Sequence, residues 1–405
     1  MVGISKLFVS KPYASKLLAA GLLLLQLSVL AATLVPPGAD NDVLEVLPAI
    51  TRNRPAPGMP AHKAPDPAAV AIAARQDIAM ARQTGETRYW GRAQAVLAPW
   101  WDRADAPADL AVLQATVQQG RHEFEASRRV LTTALARAPQ HAQGWLNLAA
   151  LERLSARYGE SLVACDAVAR AGQALYASAC RLETQSLQGQ HGLATQGLSA
   201  LLAQTRDAGQ LSWLQSLLAE AYERAGRDVA AADAYQRSLA YEADLYTAIA
   251  YSDLALRTGK PSKALQALAA LPETDAVVLR RATAWKRLGD ARWSAARALL
   301  QERMAELKRR GDDPALHGRE LALAALWLDD DAAAALTLAR ANLLLQREPL
   351  DWWVAVQSAR AATDAAALNE IETAIRTAGL QDVRLAKTLP PSTTSPTSPA
   401  KVGVK

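Results

Sequence analysis

The chain has 405 residues, half of them hydrophobic, and a formal charge of +5. A balance that small over this length lacks the electrostatic footprint of a nucleic-acid binder. Phenylalanine occurs only twice and runs of β-branched residues are almost absent, which argues against a sheet-built fold and for helix throughout.

Residues 1–16 carry Lys6, Lys11 and Lys16, and an uncharged run follows over 17–35. As a signal peptide it has a basic start, an apolar centre and a Val29-Leu30-Ala31 end that suits cleavage. As an uncleaved anchor it reaches roughly 28 Å, just enough to span a hydrocarbon core. Thr33, Leu34 and Val35 prolong the apolar run past the cleavage place, which favours the anchor. Either way, the lysines before it and Asp40, Asp42 and Glu45 after it place the bulk of the chain outside the cytoplasm. In a bacterium that is the periplasm or the outer face of the inner membrane.

Residues 36–67 contain eight prolines and read as an extended, semi-rigid spacer reaching up to roughly 95 Å. Within it, Val43-Leu44-Glu45-Val46-Leu47 is apolar enough to dock, either as a cap on the first repeat or as a partner-binding peptide.

From 68 to 387 the pattern is periodic. Turn-forming residues fall at Gly85, Gly120, Ala156, Gly189, Gly226, Gly259, Gly289, Asp329 and Asp364. Their mean spacing is about 35 residues, the signature of an α-solenoid of about nine helical hairpins. The clearest unit begins after Pro139. Trp145, Leu148 and Ala149 share one face of a first helix, Tyr158 covers the turn, and Ser161, Cys165 and Val168 form the stripe of the second. Small residues belong where two helices approach closely.

At these residues the chain resembles the tetratricopeptide-repeat family. Trp145, Leu148, Ala149, Tyr158 and Ser161 stand in its W, L, G, Y and A places, with Pro139 closing the preceding unit. Ala219, Tyr222, Ala231, Tyr235 and Ser238 match around Gly226; Ser252 and Ala264 match around Gly259, and Ala282 and Ser294 around Gly289. Ala322, Ala334, Leu338 and Ala341 match around Asp329. The first unit carries extra turn residues, and Asn369 replaces the expected alanine in the last. The resemblance implies a right-handed superhelix whose first helices face a concave groove. Carrying the family's groove positions over gives Arg153, Trp213, Glu220, Glu223, Tyr246, Asp253, Arg257, Lys286 and Arg287 as partner-binding residues. Alternating charge with two aromatic anchors suits a peptide or an extended polar ligand.

Two cysteines, Cys165 and Cys180, fall on helices that are consecutive in such an array. A disulfide there would close a short loop worth roughly 3 kcal/mol; two buried thiols are the alternative. Of the Trp100-Trp101 and Trp352-Trp353 pairs, one member each is expected in the core. No catalytic motif, cofactor loop or metal-ligand spacing is present, and the His122, Glu123 and Glu125 cluster reads as an exposed turn. Residues 280–310 hold ten basic side chains against three acidic ones. That excess reads either as a solvated helix face or as a contact for an anionic glycan or lipid, with Arg280, Arg281, Arg292 and Arg297 as candidates. Residues 388–405 are rich in Pro, Ser and Thr and read as a disordered tail. The expectation is a non-enzymatic, membrane-tethered scaffold that binds a protein partner, with anionic glycan or lipid binding as the alternative.

Overall fold

The computed structural model describes residues 65–309 and 314–386. The basic start, the apolar run of 17–35, the docking peptide Val43–Leu47, nearly all of the linker and the tail lie outside them. Among the described residues no helix is long and apolar enough to cross a membrane.

The described chain is helical hairpins in series. The first pairs α1 (Pro67–Thr84) with α2 (Arg88–Leu97), and the second α3 (Ala108–Gly120) with α4 (Phe124–Arg137). The third joins α5 (Ala142–Leu154) to α6 (Tyr158–Arg170), and the fourth α7 (Ala174–Leu187) to α8 (His191–Gln204). The fifth is α9 (Ala208–Arg224) with α10 (Asp228–Tyr241), and the sixth α11 (Leu245–Arg257) with α12 (Pro261–Leu268). The seventh is α13 (Asp275–Leu288) with α14 (Arg292–Arg309), and the eighth α15 (Gly318–Trp327) with α16 (Ala332–Leu345). The ninth, α17 (Pro349–Ala361) with α18 (Ala365–Ala378), is followed by a one-turn helix, α19 (Val383–Ala386).

The turns explain the period and correct its details. Gly85, Gly189, Gly226, Gly259 and Gly289 all take positive φ. In four other hairpins a residue with a side chain makes the same turn: His122, Ala156, Asp330 and Thr363. Each non-glycine in that region costs about 1 kcal/mol, so the reversal is worth more to the array than the local strain. Asp329 and Asp364 therefore lie beside the left-handed residue. Asp331 and Asp364 cap the helices that follow, accepting from Ala334 N and Ala367 N at 2.9 Å.

Small residues seal the helix contacts. Ala149, Ser161, Ala219, Ala231, Ser238, Ser252, Ala264, Ala282 and Ala322 are all buried. Ser294 departs from the resemblance, because α14 leaves it exposed and buries only Leu300. Cys165 and Cys180 form a disulfide between α6 and α7, with Cα atoms 5.6 Å apart. Trp352 is buried and Trp353 half-buried, whereas Trp100 and Trp101 are both only partly covered because they sit in and just after a single 3-10 turn.

The array also folds back on itself. Arg347 N donates to Leu154 O and Gln381 N to Leu187 O, both at 2.8 Å. Tyr158 and Leu187, from hairpins three and four, share one apolar cluster with Leu279, Leu323, Trp352 and Leu385. Later hairpins thus lie on earlier ones, and the inner face is enclosed over much of its length. The His122 cluster is only partly an exposed turn: Glu125 is exposed, but His122 is half-buried, its ring 5.5 Å from that of Phe124, and burial drops its pKa to about 4.

Candidate functional site

The first helices of hairpins five to nine turn one face each toward a common interior. On α9 that face is Glu220, Glu223 and Arg224; on α11 it is Tyr246, Ile249, Ala250, Asp253 and Arg257. Both sets follow the three-and-four spacing that lines up one side of a helix. Asp207, Asp244 and Thr274 cap α9, α11 and α13 through backbone N–H groups, which sets where each helix begins. The N-terminus of α17 is fixed by a capping box, Glu348 with Asp351 around Pro349.

These faces enclose a cavity of about 150 Å³. Its apolar wall is built by Ile249, Leu350, Trp327 and Trp353, the two indoles meeting edge to face at 6.2 Å. Its polar wall carries five acids (Glu220, Glu223, Asp253, Glu320, Glu348) and five arginines (Arg224, Arg257, Arg280, Arg319, Arg384). The formal balance is zero, so the site offers no net field to a polyanion.

The charges pair across neighbouring helices. Arg280 is 1% exposed and grips Asp253 through Nε and Nη2, both at 2.9 Å. Arg319 donates from Nε and Nη2 to Asp351 at 2.6 and 2.8 Å, and from Nη2 to Glu348 at 2.6 Å. Asn342 Nδ2 completes that carboxylate at 2.7 Å. Glu223 accepts from Arg257 at 3.1 Å, from Arg384 at 3.0 Å and from the Tyr235 hydroxyl at 2.8 Å. Two-point arginine–carboxylate bonds of this kind fix geometry as well as charge.

Glu220 differs from the rest. Burial pushes its pKa up to about 7, Arg224 only partly opposing it. Its Oε1 accepts from the Tyr246 hydroxyl at 2.6 Å, and burial raises Tyr246 itself well above the usual phenol range. A carboxyl that titrates near neutrality inside a cavity marks a place where binding and protonation are linked. Arg224 donates Nε to Ser186 at 2.9 Å, but its buried Nη2 has no partner among the described residues. The Tyr158 hydroxyl is orphaned in the same way. Each such group costs about 1–3 kcal/mol until something satisfies it.

Five of the nine expected groove residues meet here: Glu220, Glu223, Tyr246, Asp253 and Arg257. The other four do not. Trp213 packs in the core against Tyr176 at 5.5 Å. Arg153 pairs with Glu183 at 2.8 Å on earlier hairpins. Lys286 and Arg287 sit in the last turn of α13. Lys286 Nζ donates to Trp327 O and Leu328 O at 3.1 Å, and Arg287 bonds Leu256 O. Helix ends expose carbonyls that need donors, and these two supply them.

The four anion-contact candidates are likewise engaged. Arg280 is buried on Asp253, and Arg281 donates to Leu268 O at 2.6 Å beside Glu273. Arg292 holds Asp290 at 2.6 Å, and Arg297 holds Asp329. Asp253, Glu273, Asp275, Asp329 and Asp330, all outside 280–310, pair with five of the ten basic side chains, so the fold meets most of the local excess. Among the described residues no group of His, Cys, Asp and Glu is placed to hold a metal ion. Sequence reasoning missed Arg319, Glu348, Asp351 and Arg384. The capping box was readable in Glu348-Pro349-x-Asp351; nothing local marks Arg384.

No family model matches the chain, and no curated protein matches it. Among solved structures it aligns with yeast Tom70 over 80% of this chain and 88% of that one, at 9% identity. The TM-score is 0.24. At that level the likeness carries no weight, and the fold rests on the hairpins themselves.

Proposed function

We propose that this chain is a non-enzymatic protein-binding scaffold of the bacterial envelope, a tetratricopeptide-like solenoid tethered by its N-terminal apolar segment. The observation that carries this reading is the convergence of five successive first helices on one cavity walled by aromatics and paired charges. A cavity of about 150 Å³ is smaller than pockets that bury a whole small molecule. It suits one or two side chains of a partner, with rigid indoles as the contact. The disulfide between Cys165 and Cys180 supports an oxidising compartment, as do the lysines that precede residue 17.

A photocrosslinking residue at Leu350, on the cavity wall, and another at Leu344, 81% exposed, test the reading. One envelope protein recovered from Leu350 and not from Leu344 is expected. Equal recovery from both, or none from Leu350, would overturn it. A periplasm-active reporter fused after residue 405 tests the topology; activity only with a cytoplasmic reporter would reverse it.

A further inference from the structure

The inner face already holds a segment of chain. After α18 the backbone crosses back to hairpins four and five, where residues 380–386 lie down. Gln381 N donates to Leu187 O at 2.8 Å, and Gln381 bridges Gln188 in parallel register. Gly189, at φ 88°, makes this approach sterically open: a Cβ there would lie 2.3 Å from Gln381 Oε1. Arg384 Nη1 reaches Glu223 at 3.0 Å, and Leu380 and Leu385 are buried. These contacts include a backbone bond, an ion pair and two buried leucines.

The seat is only partly satisfied. Beneath the segment, the Tyr158 hydroxyl and Arg224 Nη2 are buried without a partner among the described residues, although both side chains are nine-tenths or more out of water. Asp382 is close enough to be felt by Tyr158, yet it spends its carboxylate on Arg384 Nε at 2.9 Å and on the Arg384 backbone N–H at 2.9 Å. A segment whose acid reached Arg224 and Tyr158 would fit this seat better than the resident one.

We propose that residues 380–386 are a strap filling, within the same chain, the place that a partner's segment takes on the inner face. That segment carries an arginine for Glu223, a leucine beside it, and a carboxylate that reaches Arg224 and Tyr158. The inference rests on the inner face being the binding face.

The test uses the full chain and a fluorescein-labelled peptide, GLQDVRLAK, followed by anisotropy. With its strap seated, the parent protein binds weakly, because only the open fraction is competent. Arg384→Ala removes the ion pair, and the peptide is then expected to bind about tenfold tighter. Gln381→Pro, which deletes the N–H given to Leu187 O, gives the same gain and serves if Arg384→Ala fails to fold. A peptide with glutamate in place of its arginine should bind neither variant, and Glu223→Gln should abolish binding of the original peptide. Equal affinity for the parent and both variants would overturn the strap, as would binding indifferent to the peptide's arginine. Strap competition with no crosslink from Leu350 would sink the inner-face reading alone; a crosslink without competition would sink the strap alone.

Discussion

Helices α6 and α14 are both second helices, of hairpins three and seven, but they are held differently. α6 buries Tyr158, Ser161, Ala164, Cys165, Ala167 and Val168, whereas α14, five residues longer at 18, buries only Leu300. α6 is also tied to α7 by the disulfide. α14 instead relies on side-chain ion pairs, Arg297 with Asp329 and Arg303 with Asp275, and borders a groove of about 820 Å³ shared with Thr84–Arg88. The repeat period sets where a helix forms, but whether it docks on the next hairpin depends on a stripe of small and apolar residues. α14 lacks that stripe. Ion pairs therefore do two jobs in this molecule. At the inner face they are buried and define geometry; on α14 they are half-exposed and only trim it.

The largest expected effect tests the buried kind. Arg319→Ala strands Asp351, and a loss of about 3–5 kcal/mol is expected in denaturant unfolding. A loss below about 1 kcal/mol would erase the distinction between the two kinds of pair. Replacing Cys165 and Cys180 by alanine should cost about 3 kcal/mol and quicken amide exchange in α6 and α7. If α14 exchanged faster and α6 did not, the contrast would be misplaced. Leu300→Ala removes the anchor of α14 and should cost about 2 kcal/mol, with faster exchange there and none at α6.

Glu220→Gln sharpens the inner-face side through pH. The folded pKa of about 7 lies above the unfolded value of about 4.3, so the native state binds the extra proton between them. That stabilisation is complete below the unfolded pKa and is lost as pH rises through 7. The parent should therefore lose Tm relative to Glu220→Gln between pH 5.5 and 8, the difference cancelling other groups. A flat difference would mean that Glu220 is ionised throughout. The smallest effect is Arg303→Ala, at most about 1 kcal/mol and fading with salt.

Legibility divides along range. The nine hairpins could be read because left-handed turns and small residues at contacts are local demands, repeated at each unit. The extra turn residues expected in the first hairpin are absent, since residues 85–87 join α1 to α2 as in the other hairpins, and Asn369 is exposed because the left-handed residue of the last turn is Thr363. The inner pairs were half readable: Arg257–Glu223, Arg280–Asp253 and Arg319–Asp351 join residues 34, 27 and 32 apart, roughly one repeat. The spacing was visible, but the partners were not, since a charge on a helix face pairs only once the neighbouring helix has docked. Hence the excess over 280–310 looked like a surface patch.

By itself, then, the sequence determined an all-helical array, its period, and the small residues that let helices touch, because these follow from backbone geometry within each repeat. Tertiary structure alone decided that hairpins four and five meet residues 380–386, joining Arg384 to Glu223 across 161 positions. It also decided that His122 is half-buried, that Trp213 is core and that Glu220 titrates near neutrality. Trp213 is set by its docking on the neighbouring hairpin, whereas the meeting of Arg384 with Glu223 depends on how far the array curls before it meets itself. That curl accumulates from small rotations at every hairpin contact, and no single stretch of sequence records it.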